Sequence, residues 1–250
     1  MRERAVFAHG RVHRTARQGA IMSNACLFSG GKDSTLALHR AIEAGIHIDL
    51  LITIRSASRE SYMFHYPNVE HTALQAKALE IQQVFADTEG EKEKELADLE
   101  RALVGNDVRL LVTGATYSKY QGDRINAMAK RLGIEHLAPL WHIDPMDELG
   151  ELAEKYEAII SSVSAEGLDE SFLGKRIDAA MIERLAALNR KHGINMLFEG
   201  GEAETFVLDA PLFRKRIAVE KARTTFTKGR GTYLIEKAGL EDKRHGQRDI

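Results

Sequence analysis

Residues Ser29-Gly30-Gly31-Lys32-Asp33-Ser34 stand between an apolar run, 25–28, and a stretch of helical periodicity that begins at Thr35. Adjacent glycines at a strand-to-helix junction let successive backbone N–H groups close on an anion, and the helix dipole adds to the attraction. Phosphate is the default guest. Two better-known phosphate loops fail on spacing. A Walker A loop needs the leading glycine of G-x-x-x-x-G-K and a Ser or Thr after the lysine; those positions hold Cys26 and Asp33. The dinucleotide fingerprint G-x-G-x-x-G fails as well, because Gly30 and Gly31 are adjacent and no further glycine falls in register. A tight turn would account for the glycines alone. It leaves Ser29, Lys32, Asp33 and Ser34 unexplained as a group.

The elements that must position this loop follow from an alternation of short apolar runs with amphipathic stretches, the rhythm of strand–helix units around a parallel sheet. Residues 25–28, 48–54, 83–86, 110–113 and 135–137 read as strands. Residues 35–44, 69–80, 91–104 and 124–132 read as helices, with Gly45, Gly105 and Gly133 as stop signals. The charged run that opens at Glu91 is expected on a solvated helix face, with Glu91 and Glu95 beside Lys94. After Trp141 the texture changes: 145–154 and 178–191 read as helices, and 158–163, 205–208, 216–219 and 233–236 as strands. The expected architecture is α/β, a five-stranded parallel sheet between helices over 23–144, followed by a smaller α+β domain over 145–250. No Pro/Gly/Ser-rich linker marks the boundary, so tight packing and a cleft between the two parts are expected.

Composition sets the bounds. The chain has 250 residues, 44% hydrophobic and 29% charged, with a formal charge of −2, so a sizeable core is available and no overall field points to nucleic acid. The one cysteine, Cys26, can build neither a disulfide framework nor a cysteine metal cluster, which fits a reducing, cytoplasmic setting. No stretch approaches the ~18 consecutive apolar residues of a membrane span. Residues 1–22 carry Arg2, Arg4, Arg11, Arg14 and Arg17 against Glu3 alone and lack apolar periodicity. They read as a disordered or loosely docked extension, with Met22 as a candidate start and an organelle-targeting segment as the alternative.

The hexapeptide at 29–34 resembles the SGGxDS loop of the PP-loop ATP pyrophosphatase superfamily, enzymes that split ATP between the α and β phosphates. The resemblance implies a Rossmann-like, adenine nucleotide alpha hydrolase-like fold, in agreement with the alternation above, and implies ATP and Mg²⁺. Ser29 and Ser34 would then donate to phosphate oxygens, and Gly30 and Gly31 would admit the backbone to them. Lys32 would meet the departing pyrophosphate. Asp33, a like charge beside polyphosphate, would be bridged to it by the metal. Members that thiolate tRNA use paired cysteines, which a lone Cys26 cannot supply.

Further blocks resemble the diphthine–ammonia ligase family: Ser61-Tyr62-Met63-Phe64-His65; Gly114-Ala115 with Tyr120, Gln121 and Arg124; Leu137-Ala138-Pro139-Leu140-Trp141; Ala165-Glu166-Gly167-Leu168-Asp169; Glu199-Gly200-Gly201-Glu202-Ala203-Glu204-Thr205; and Leu208-Asp209-Ala210-Pro211. They span roughly residues 24–220 in one order. The resemblance implies ATP-dependent amidation of diphthine, a modified histidine on translation elongation factor 2, by ammonium. An acyl-adenylate would form, and AMP and pyrophosphate would leave. Thr113, Gly114 and Ala115 would line the nucleotide at the end of the fourth strand, and Arg124 would contact the α phosphate or acyl phosphate. Tyr62, Phe64, His65, Tyr120, Gln121 and Asp209 fall to the substrate side. Glu199, Gly200, Gly201, Glu202 and Glu204 would form a cation site for ammonium or the quaternary amine, with Glu202 as its working carboxylate and Tyr62, Phe64 or Trp141 as an aromatic face.

The chain departs from the family at Phe198, where members carry glycine, and at Thr116-Tyr117-Ser118-Lys119, where small residues and an acid are usual. Segment 214–230 places Arg214, Lys215, Arg216, Lys221, Arg223, Lys228 and Arg230 against Glu220 alone. That run keeps an adenylating tRNA-modifying ligase as the alternative enzyme. A nucleotide-binding regulator without turnover is the alternative outside catalysis, and a homodimer is left open.

Overall fold

The computed structural model describes residues 22–56, 67–90, 92–115 and 119–243. The N-terminal extension and Tyr62, Phe64 and His65 lie outside these residues. Five parallel strands form the first sheet: β1 (Ser23–Leu27), β2 (Leu50–Ser56), β3 (Gln82–Thr88), β4 (Val108–Val112) and β5 (Glu135–Leu137), in the order β3-β2-β1-β4-β5. They alternate with α1 (Lys32–Glu43), α2 (Thr72–Leu79), α3 (Lys92–Gly105) and α4 (Lys119–Leu132). Strand alternation divides the apolar residues between two faces. Ala25, Leu50, Ile52, Ile54 and Leu111 pack with Leu99 and Leu103 of α3 and Ile125 and Met128 of α4. Cys26, Phe28, Leu51 and Val112 turn the other way, toward Leu36 and Leu38 of α1.

That second face does not end at the helices. α5 (Pro145–Lys155), β6 (Glu157–Val163), α6 (Ala179–His192), β7 (Ala203–Asp209), β8 (Arg216–Thr227) and β9 (Arg230–Glu241) follow, and the four strands make an antiparallel sheet ordered β7-β6-β9-β8. Ile160, Phe206 and Ile217 of this sheet belong to the same apolar cluster as Cys26 and Leu36. The two sheets therefore share one core, as the absence of a linker led us to expect. The hairpin of β8 and β9 also straps back over α2. Asn68 donates to the carbonyl of Tyr233 at 3.0 Å and accepts from the Ile235 amide at 2.7 Å, and the Arg214 amide donates to the carbonyl of Ala78 at 2.6 Å.

Several boundaries differ from the sequence reading for physical reasons. α4 begins at Lys119, not Arg124, so Arg124 sits inside the helix rather than at its head. Residues 69–71 are a 3-10 turn ahead of α2, which ends on Glu80 in the left-handed region instead of at a glycine. β8 and β9 each run 12 residues, longer than the apolar segments that suggested them, because cross-strand ion pairs carry the pairing through polar positions. Glu95 is not on a solvated face: it is fully buried on α3; Lys94 pairs with Glu89, and Glu91 lies outside the described residues. The basic run loses much of its field in the same way. Arg216 pairs with Glu157 and Glu241, Lys221 and Arg223 with Glu236, Arg214 with Glu80, and Lys215 with Asp242. No helix among the described residues is long and apolar enough to cross a membrane.

Candidate active site

β1 is the central strand of the first sheet, with β2 on one side and β4 on the other, so the chain after it emerges where the strand order reverses. Ligands of open α/β sheets lie at that position. Residues 29–31 turn there into α1, a helix of 12 residues whose N-cap, Gly31, supplies no side-chain hydrogen bond. Of the N–H groups of the first turn, that of Lys32 is taken up from outside the helix, and those of Asp33 and Ser34 receive no bond from the N-cap side chain and are open to a guest anion. Ser29 and Ser34 close the loop on themselves: their hydroxyls are 3.2 Å apart, and the Ser34 hydroxyl donates to the carbonyl of Gly31 at 3.2 Å.

The loop is gripped from the second sheet. The Lys32 amide donates to the Thr205 hydroxyl at 3.0 Å, the Val207 amide donates to the Gly30 carbonyl at 2.9 Å, and the Gln75 amide group bridges the carbonyls of Gly30 and Val207 at 2.9 and 2.7 Å. This grip explains the glycines. A methyl group on Gly31 would stand 3.2 Å from the Thr205 carbonyl oxygen, and one on Gly30, at φ +78°, would stand 2.3 Å from Gln75 Oε1. Gly114 has a similar reason. A methyl there would lie 2.7 Å from the Asp33 carbonyl carbon, so the strand end at 113–115 abuts the head of α1. Thr113, beside it, is buried, and its hydroxyl bonds His136 at 2.8 Å.

Lys32 differs most from expectation. Its side chain is 1% exposed and its ammonium lies between Asp33 and Glu148, 3.2 Å from the Glu148 carboxylate. It points into the protein rather than out toward a phosphate. Burial works against its charge, yet Asp33 and Glu148 outweigh burial and hold the ammonium protonated well above its ordinary range. Burial, with Asp33 adding, pushes the Glu148 carboxyl up while Lys32 opposes. Asp33 stays 34% exposed and is the carboxylate of this group that reaches solvent beside the loop.

The second acidic stretch separates into unlike parts. Glu202 accepts from the amides of Asn195 at 2.9 Å and Gly200 at 2.8 Å, so its carboxylate ties its own loop together. Glu204, at the head of β7, is half-buried, and burial, with Asp33 and Glu199 adding and Lys32 opposing, pushes its carboxyl up to about 8. Glu199 also bears on Lys32 electrostatically. Gly201 has φ +78° and Phe198 φ +65°, so position 198 holds a buried phenylalanine in the left-handed region, a conformation that favours glycine. Asp209 belongs elsewhere. It lies at the far end of β7 from Glu204, roughly 17 Å away by strand rise, and pairs with Lys243 at 2.9 Å.

The structure thus brings Ser29, Gly30, Gly31, Lys32, Asp33, Ser34, Gly114, Glu199 and Glu204 to one place and leaves Asp209 outside it. The side chains of Tyr120 and Gln121 are not among those described; Arg124 lies on the same helix, partly buried. Two residues escaped the sequence reading. Thr205 lay inside a quoted block and received no role. Glu148 was detectable, because on α5 it stands four positions before buried Leu152 and eight before buried Tyr156, a glutamate on the apolar face of a helix.

A divalent cation fits this donor set in a limited way. Among the described residues no group of three or more His, Cys, Asp or Glu side chains could enclose a metal. Asp33 offers one exposed carboxylate beside an anion cradle, which suits Mg²⁺, a cation that keeps waters and takes phosphate oxygens as its other ligands. The surplus of acid around Lys32 also calls for a cation before polyphosphate can approach.

The chain is similar in sequence to known proteins over both of its halves. The family model described as the diphthamide synthase N-terminal domain matches residues 22–136, and that described as the diphthamide synthase C-terminal domain matches residues 144–240. The chain is 34% identical to human diphthine–ammonia ligase over 227 residues, covering 80% of this chain and 84% of that protein. It is 35% identical to the rat diphthine–ammonia ligase over 225 residues, covering 80% and 83%. A solved chain described as a predicted subunit of tRNA methyltransferase from Methanocaldococcus jannaschii superposes with a TM-score of 0.41 at 18% identity, over 76% of this chain and 98% of that one. With both halves matched and the relatives covered over most of their length, the chain belongs to the diphthine–ammonia ligase, or diphthamide synthase, family.

Proposed function

We propose that the protein is an ATP-dependent ligase that forms a carbon–nitrogen bond, amidating the diphthine carboxylate of translation elongation factor 2 with ammonium to give diphthamide. The observation that carries this is the head of α1 under Ser29–Ser34, where the N-cap Gly31 gives no side-chain bond, at the switch point of the sheet, in a chain that matches both diphthamide synthase domain models. The setting is cytoplasmic, where the elongation factor works.

The chemistry follows from the residues. A carboxylate is a poor acyl donor, and attack on the α phosphate of ATP turns it into an acyl-adenylate with AMP as a good leaving group; pyrophosphate departs in that step, and ammonia then displaces AMP. The loop holds the pyrophosphate half through backbone N–H groups and the hydroxyls of Ser29 and Ser34. Mg²⁺, held at Asp33, supplies neutralisation of the phosphate charge when bound. Gly114 and Ala115 border the head of α1 and flank the nucleotide. Glu199, and Glu204 at the pH where it ionises, bear on the loop electrostatically and replace Glu202 as the candidates for drawing in ammonium. Mutual positioning of the two substrates is the main contribution of the protein.

The test is a product assay with ATP, Mg²⁺, ammonium and diphthine-bearing elongation factor. AMP, pyrophosphate and an amidated factor are expected; ADP and phosphate would reject the reading. The ion-paired state of segment 214–230 removes most of the electrostatic ground for a tRNA substrate, so tRNA binding is expected to be weak and unaffected by charge removal at Lys221 or Arg223.

A further inference from the structure

We propose that Glu148 is a positioning residue for the metal–pyrophosphate half of the site: by neutralising Lys32 from beneath, it leaves the Asp33 carboxylate available to a divalent cation. The inference deepens the reading above and rests on it. A buried ammonium requires a counter-charge. Lys32 is 1% exposed and has two carboxylate partners, Asp33 beside it on α1 and Glu148 reaching across from α5. The two are not equivalent. Glu148 is itself 1% exposed, so it cannot meet a cation from solvent, whereas Asp33 is 34% exposed beside the anion cradle.

Without Glu148, Asp33 would take a larger share of the Lys32 charge, with Glu199 and Glu204 also bearing on it, and would be a more neutralised carboxylate and a weaker metal ligand. With Glu148 the pair carries an excess negative charge, and the excess is expressed at the partner that faces solvent. Glu148 is held for this task. Asp144 caps α5, accepting from the amides of Met146 at 2.8 Å and Asp147 at 3.3 Å, with Pro145 in the first turn. Further along the same seam Arg40 pairs with Glu151, and His39 hydrogen-bonds the Tyr156 hydroxyl, so α1 and α5 are fixed side by side. The Glu148 Oε2 atom is buried without a hydrogen-bond partner. A glutamate placed only to satisfy local packing would have both oxygens matched or be replaced by an apolar residue of its volume.

The experiment measures inorganic pyrophosphate binding by the full chain, by calorimetry, as a function of Mg²⁺ concentration, so that no turnover is needed. In Glu148→Gln the Mg²⁺ concentration for half-maximal binding is expected to rise about tenfold, with Glu148→Asp in between. In a Lys32→Met background, Glu148→Leu should add no further change, because Glu148 acts through Lys32. An unchanged Mg²⁺ requirement in Glu148→Gln, or an equal shift from Glu148→Leu with and without Lys32, overturns the proposal and leaves Glu148 a packing residue. Should Glu148→Gln not fold, an unchanged requirement in Glu148→Asp overturns it equally. A chain that binds no pyrophosphate at any Mg²⁺ concentration overturns both this proposal and the ligase reading, whereas normal binding with unshifted variants overturns this proposal alone.

Discussion

The molecule contains two loops built on adjacent glycines, 30–31 and 200–201, and they are held in opposite ways. The first is fixed by partners distant in sequence: Thr205 on the Lys32 amide, Val207 and Gln75 on the Gly30 carbonyl. The second is fixed largely by its own carboxylate, with Glu202 bonding Asn195 and Gly200, and by one distant hydroxyl, Ser164, donating to the Gly201 carbonyl at 2.6 Å. A loop that presents backbone to an anion has few side chains to use for support: Ser29 and Ser34 bond within it, and the rest of the support comes from outside. It borrows rigidity from the other sheet. The acidic loop faces no such demand and is free to spend a carboxylate on its own shape.

That contrast can be broken by substitution. The largest effect is expected for Gly114→Ala, whose methyl would lie 2.7 Å from the Asp33 carbonyl carbon; overpacking of this kind costs about 1–3 kcal/mol. Displacement of the head of α1 should also abolish measurable pyrophosphate binding, and retained binding would detach Gly114 from the loop. Next is Thr205→Val, which leaves the Lys32 amide without its acceptor. A stability loss of about 1–3 kcal/mol in denaturant unfolding is expected, together with weaker pyrophosphate binding, and Thr205→Ser should restore both.

Glu204→Gln should alter a pH profile rather than a midpoint. With its carboxyl pushed up to about 8, Glu204 is neutral through most of the neutral range and ionises as pH rises. Pyrophosphate affinity should therefore fall as pH passes through about 8 in the unaltered chain, and this step should vanish in Glu204→Gln. Stability follows the same sign. The folded chain holds a proton that the unfolded chain releases at the ordinary carboxylate value, so this contribution is present at low pH and lost as pH rises through the folded value. The smallest effect is expected for Glu202→Gln, about 0.5–1.5 kcal/mol from a weakened local tie, with pyrophosphate affinity unchanged. A loss of affinity in Glu202→Gln equal to that in Thr205→Val would erase the distinction between the loops.

The parallel sheet was legible because β1, β2 and β4 are built on apolar runs that alternate with amphipathic helices, and the loop at 29–34 because its residue types fit no simpler purpose. What escaped the sequence depended on partners that spacing does not reveal. Glu95 looked solvated because its charged neighbours set the local pattern, yet α3 turns it inward. Strands β8 and β9 looked short because ion pairs such as Lys237–Glu220, at 2.5 Å, do the work that apolar residues do elsewhere. Asp209 shared a block with the site yet stands at the other end of its strand, since a motif records order along the chain and not the direction in which a strand carries it away. Glu202 and Glu204 are two positions apart and differ completely, one exposed to its own loop and the other to Lys32 and Asp33.

The bond from the Lys32 amide to Thr205 spans 173 positions of the chain. While the protein is being made on a ribosome, the segment bearing Ser29–Ser34 leaves the exit tunnel long before Thr205 and Val207 exist to clasp it. A nascent chain that has reached only the end of the parallel sheet therefore has the letters of a nucleotide site without its shape. On the proposed function, nucleotide binding is therefore expected only once synthesis has passed β7.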